Sequence, residues 1–396
     1  MRFCSTRKSS AWLLAAGLLL GAEGALAQGV PGAPKATTGG DYQAKAEQYA
    51  RARRAFEEES SAYWRSITEK RRARIAKRRG NEPVGLDDYV LTQPPLYQGP
   101  PRPVDPTAPE RDPTEPRKPD LPVVADFLKA AAEQFGFVPQ RPESELAFKQ
   151  AYARLAAAAG LTRDQVVRIY AFETGGNGGY DGQAGLIFQR PGARAISPAI
   201  GYNQLLSTNS VSLFAEHGDQ FIAALRRKAQ ELAGEPRAAM EGKIAALKRM
   251  VAFCRTVPNA WSEHDHLAKN TPGGWGVHAA ILDRDIGPLL QVQKLLNSVL
   301  FARAKGHKSP LTAAELEMMN LTGDGNGFDI VTMPPALRAR VPTSNFFQQQ
   351  GYERNPIARR TGVVAALFAA IDTKMDQASQ LQGAKDLAAA YDGARM

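Results

Sequence analysis

The chain has 396 residues, a formal charge of +10 and 43% hydrophobic content, which excludes a wholly disordered polymer and leaves room for one core-forming domain with extensions. Its positive balance points to anionic partners, either cell-wall glycan carrying acidic peptides or lipid headgroups. With only two cysteines, a disulfide-rich scaffold is excluded.

Arg2, Arg7 and Lys8 precede the apolar run 11–20, and Ala25-Leu26-Ala27 before Gln28 reads as a cleavage site. Residues 1–27 are therefore expected to be a secretory signal peptide, giving a periplasmic or secreted protein. The apolar run is short for a membrane span. Cleavage leaves Cys254 as the one cysteine, and in that compartment nucleic acid is not an expected partner.

Residues 28–40 are rich in Gly, Ala and Thr and are expected to be disordered. Tyr42, Tyr49, Phe56 and Tyr63 recur every seven residues, which predicts a helix over 41–80 within a segment 28–82. Its end, EKRRARIAKRRG, carries seven basic residues from Lys70 to Arg79. Residues 66–79 read equally as a foothold on an anionic wall or membrane surface, or a contact for a partner helix, and as a solvated helix end. Residues 83–122 hold 12 of the 27 prolines. They predict an extended, semi-rigid linker, since proline removes a backbone donor and fixes φ.

From 123 to 396 the pattern is mostly α. Helices are expected over 123–135, 143–159, 163–174, 211–232, 237–255, 289–304, 313–319 and 362–390. The stretch 179–202 is the exception, where YDGQAGLIF and RAIS suggest a small β-hairpin. The helix LTRDQVVRIYAFETGG carries its own signals. Thr162 and Gln165 fit a capping box. Val166, Ile169, Tyr170 and Glu173 fall at i, i+3, i+4 and i+7, which puts Glu173 on the core-facing stripe. Gly175 or Gly176 suits the left-handed turn that ends a helix. Burial and the negative end of the helix dipole both raise a carboxyl's pKa. An acid kept protonated there can protonate a leaving glycosidic oxygen, and the glycines after it would let a polymer approach the backbone.

Four ordered pieces resemble the lytic transglycosylases and goose-type lysozymes, the lysozyme-like enzymes that cut peptidoglycan strands. YAFETGG places Glu173 in the catalytic position, with Thr174 where serine is usual. In ISPAIGYNQLL, Ser197-Pro198 and Gly201-Tyr202-Asn203-Gln204 resemble the S-P and G-L-M-Q elements. In MNLTGDGNG, Asn320, Gly323, Gly325 and Asn326 resemble the Y-N-A-G-x-G-N turn. PTSNFF, with Phe346 and Phe347, resembles T-R-N-Y-V. The resemblance covers roughly 145–350. It implies a lysozyme-like helical domain over 123–396 with an enlarged loop beside the glutamate, following the basic helix and proline-rich linker.

The resemblance further implies cleavage of the MurNAc–GlcNAc bond, with Glu173 as general acid and then base, and 1,6-anhydro products. Gln204, Asn203, Tyr202, Ser197, Tyr180, Asn320 and Phe346 are the substrate-binding candidates it suggests. No cofactor and no metal are expected. Phe346 stands where the family has tyrosine, and Tyr352 or Tyr202 are candidates for the missing hydroxyl. One carboxyl suffices for this scheme; Asp181 facing Glu173 would instead favour ordinary hydrolysis. A non-catalytic wall-binding protein on the same fold is the alternative. His264, Asp265, His266, His278, Asp283 and Asp285 gather in one segment, and would serve a metal-dependent hydrolase only if three or four converged. TGDGNGFD lacks the spacing of a calcium loop and reads as a turn.

Overall fold

A computed structural model describes residues 39–107, 121–187 and 192–395. The expected signal peptide lies outside these residues. The helices run in order α1 (Gly39–Arg79), α2 (Val124–Phe135), α3 (Glu145–Ala158), α4 (Arg163–Thr174), α5 (Ser207–Gln230) and α6 (Gly234–Cys254). They continue with α7 (Trp261–Asn270), α8 (Pro272–His278), α9 (Gly287–Ala304), α10 (Ala313–Thr322) and α11 (Asp324–Val331). The last are α12 (Pro335–Arg338), α13 (Gln349–Glu353), α14 (Pro356–Thr361), α15 (Val364–Ser379) and α16 (Gln382–Gly393). The protein is mostly α, and among the described residues no helix is long and apolar enough to cross a membrane.

Two compact units form over the described residues: 121–333 with 367–395, and 39–107 with 334–366. The stretch 123–396, read from sequence as one domain, is thus divided, because 334–366 belongs with the basic helix. In this second unit the proline-rich segment is no free spacer over its described part. Tyr97 meets Tyr49 and Phe56 edge-on, with ring centroids 6.1 and 5.5 Å apart, so the heptad aromatics of α1 pack on it. The basic run is also turned partly inward. Arg71 and Arg74, one turn apart, are buried. Arg71 donates to the Phe347 carbonyl (2.8 Å), and both donate to the Asn345 carbonyl (3.1 and 3.2 Å). Asn345 pairs its side chain with both backbone groups of Val90 (2.9 and 2.8 Å). The segment 343–347 is therefore a structural clasp on α1.

In the first unit, α2, α5, α6 and α8 surround a core of Phe127, Phe135, Phe214, Phe221, Leu247 and Met250. Helix α4 packs on α10 and α16. It begins as its sequence predicts: Thr162 Oγ1 accepts from Gln165 N (3.1 Å), and Gln165 Oε1 accepts from Thr162 N (2.9 Å). The expected final helix over 362–390 breaks at residues 380–381 into α15 and α16. The expected hairpin is replaced, in the described part of 179–202, by isolated bridges joining Gln183 to Ile200 and Ile200 to Leu205. Gly185 and Gly201 have φ of +89° and +84°, and the Gln204 side chain takes the Gly182 carbonyl, so a regular ladder cannot extend.

Candidate functional site

Glu173 is the last but one residue of α4, and it lines a cavity of ≈ 470 Å³ together with Gln204, Lys294, Asn320 and Asp324. The Glu173 side chain is 4% exposed. Its Oε1 accepts from Asn320 Nδ2 at 2.8 Å, and its Oε2 is buried without a hydrogen-bond donor among the described residues. Burial pushes the carboxyl above its ordinary range, against the pull of Lys294 and Lys374 and of the neighbouring Glu317 and Asn320.

The glycines after Glu173 have a different task from the one expected. Gly175 takes the left-handed cap at φ +66°. At Gly176 (φ +80°) a Cβ would lie 2.2 Å from the Ala378 carbonyl oxygen. The close approach is to the chain's own helix α15, and it seats the end of α4 against it.

Gln204 also has positive φ, +41°, unusual for a side chain of its size. Its Nε2 donates to the Gly201 and Gly182 carbonyls (2.8 and 3.0 Å), which fixes the amide plane. Its Oε1 is buried and unbonded. Gln204 and Asn320, from two of the four motif pieces, thus meet Glu173 at one cavity.

The other candidates are elsewhere. Asn203 is buried, with its side-chain amide donating to Tyr152 Oη (3.1 Å) and the Gln291 carbonyl (2.8 Å). Its carbonyl accepts from Lys294 Nζ at 3.0 Å, so its part is to orient that lysine. Tyr202 is buried and gives its hydroxyl to Glu145, while Tyr352 belongs to the second unit beside Trp64. Tyr180 stacks on Phe148 (5.0 Å between centroids). Ser197 Oγ accepts from Ala199 N at 3.1 Å and closes a local turn. Phe346 is buried in the second unit against Tyr89 and Arg74. Asp181 pairs with Arg141 at 3.1 Å. None of these lines the cavity.

The histidine segment disperses. His278 is buried between Ser210 Oγ and the Pro198 carbonyl, both at 2.8 Å, and burial pushes its ring down to about 4. His266 is exposed beside Asn270, and His264 is buried on the opposite face of α7. Asp283 and Asp285 hold the buried Lys243.

Several residues in and behind the cavity wall carried no sequence signal. Lys294 on α9 is half-buried, and desolvation lowers its ammonium while Glu173, Glu317 and Asp324 oppose that. Lys374 on α15 lies 3.9 Å above the Phe172 ring. Glu317 is fully buried one turn before Asn320. Asp324 opens α11 and accepts from Ser298 Oγ at 2.6 Å, and burial pushes it up to about 6. TGDGNGFD is thus a junction between helices: Gly323 caps α10 and a Cβ at Gly327 would meet Met319 Cα at 2.3 Å. Trp261 and Phe301 give the cavity flat apolar faces, and Asn209, Ser212 and Asn297 give it neutral polar ones. Two carboxyls raised by burial, two flanking lysines and neutral hydrogen-bonding side chains beside Glu216 and His217 suit proton transfer on a polyhydroxylated substrate.

No protein-family model, curated protein or solved structure matches the chain.

Proposed function

We propose that the protein is an exported peptidoglycan-cleaving enzyme of lytic transglycosylase type, with Glu173 as its general acid and then base. The observation that carries this reading is the Glu173 carboxyl itself. It is buried and raised, lines an open cavity, and is held by Asn320 beside Gln204. Protonated Glu173 donates to the leaving glycosidic oxygen as the C–O bond breaks. The substrate's N-acetyl oxygen attacks the sugar, and the Glu173 carboxylate then takes the proton of the 6-hydroxyl, giving a 1,6-anhydro end. Trp261 and Phe301 offer surfaces for sugar rings, and Asn209, Ser212 and Asn297 offer partners for hydroxyl and acetamido groups. In this reading residues 1–27 direct export, and the outward-facing cations of 66–79 remain the contact for an anionic wall or membrane surface.

A second reading is lysozyme-type hydrolysis, favoured by Asp324 in the same cavity. Asp324, in place of Asp181, would be the second carboxylate, activating water. Digestion of purified sacculi followed by mass spectrometry separates the two. Anhydro ends support the first, reducing ends abolished in Asp324→Asn support the second, and no released glycan counts against both.

A further inference from the structure

We propose that Glu317 is kept as the neutral acid and is a positioning residue for Glu173, donating its O–H to Oε2 of that carboxyl. Asn320 Nδ2 lies 2.8 Å from Glu173 Oε1 and 3.3 and 3.5 Å from the two Glu317 oxygens. One amide nitrogen therefore reaches both carboxyl groups, and its two hydrogens serve one oxygen of each. Glu173 Oε2 is left buried without a donor from any other described group, and a buried carboxylate oxygen is costly unless it is bonded. A protonated neighbouring carboxyl is such a donor. Glu317 is fully buried and behind the cavity wall that Glu173 forms.

The charged groups facing the pair agree. Lys294 from α9 and Lys374 from α15 favour an anion, and Asp324 from α11 adds negative charge on Lys294. Burial and the Glu173 anion together raise Glu317 well above the carboxylate range. Two ionised carboxylates this close repel in a poorly solvated site, so when Glu173 gives up its proton Glu317, the one of the pair without solvent, keeps its own.

The catalytic consequence rests on the proposed function. Once Glu173 has given its proton to the leaving oxygen, its carboxylate accepts from Asn320 on Oε1 and from Glu317 on Oε2. Glu173 regains a proton from the 6-hydroxyl, while Glu317 keeps its own throughout.

Infrared difference spectra of the full protein at neutral pH test the protonation state directly. The wild type is expected to show a carboxylic-acid C=O band that is missing from Glu317→Gln. Equal bands in the two proteins would overturn the proposal, whether or not either cuts glycan. Sacculus digestion across pH tests the positioning role. Glu317→Gln keeps an N–H donor and is expected to retain the wild-type alkaline limit. Glu317→Leu removes the donor, destabilises anionic Glu173, and is expected to move that limit to higher pH. An unchanged limit with uniformly lower rates in Glu317→Leu would reduce Glu317 to a packing residue. Absence of cleavage by every protein would remove the proposed function and leave the infrared result to decide Glu317.

Discussion

Asn320 on α10 donates its side-chain amide to Glu173 on α4 across 2.8 Å, although the two are 147 residues apart in the chain. The bond holds a raised carboxyl in one orientation at the wall of the cavity. Replacing Asn320 with Ala leaves Glu173 Oε1 buried without a partner, which is expected to cost about 1–3 kcal/mol of stability. Urea unfolding of wild type and variant measures this directly, and Asn320→Asp, which adds a further carboxyl, is expected to cost more.

Asp324 gives a pH signature. Its carboxyl is pushed up to about 6 by burial, against about 3.9 in an unfolded chain. The native state therefore binds the extra proton in this window, and its stabilising contribution is present below about pH 4 and lost as pH rises through about 6. Asp324→Asn removes the effect, so the stability of the variant minus that of wild type is expected to rise between pH 4 and 6. Unfolding curves collected across that range check the slope.

His278 works in the opposite sense. Its buried ring is pushed down to about 4, whereas an unfolded histidine titrates near 6.5. The unfolded state takes up the proton first, so this contribution is complete above about pH 6.5 and lost as pH falls towards 4. Proton NMR of the ring is expected to find His278 neutral at pH 5.5.

Local signals in the sequence carried local structure well. Glu173 is buried as the phase of Val166, Ile169 and Tyr170 predicts, although α4 is buried on every face from Ile169 to Thr174, and the Thr162–Gln165 capping box forms as written. Gln204 and Asn320 were reached through motif order, and both line the Glu173 cavity. Lys294, Glu317, Asp324 and Lys374 were not reached. Each is a single charged residue on an otherwise ordinary helix, and their meeting depends on how α9, α10, α11 and α15 pack. The same holds for the basic run. Seven cations in ten residues read as a solvated surface, yet Arg71 and Arg74 are consumed by carbonyls of 343–347 far along the chain. Phe346 shows the converse: a motif position read as substrate-facing is filled by core packing.

Arg74 is therefore a residue on which the second unit depends. Its guanidinium lies 4.4 Å from the Tyr89 ring and donates to the Asp88 and Asn345 carbonyls (2.9 and 3.2 Å). Arg74→Ala is expected to cost about 2–3 kcal/mol, since hydrogen bonds to a charged donor are lost in a buried setting. Arg74→Lys is expected to recover little, because an ammonium cannot stack on a ring and bridge two carbonyls as a planar guanidinium does. Limited proteolysis should then cut preferentially within 83–107 and 334–366.

The central claim is that the Glu173 carboxyl carries the chemistry, and the most direct measurement is the digestion of purified sacculi by wild type and Glu173→Gln at equal concentration. Glutamine keeps the shape and the Asn320 contact as an amide but has no acid proton to give. Release of muropeptides by the wild type, with a loss of at least about 100-fold in the variant, is the predicted result. Equal release by both proteins would contradict it.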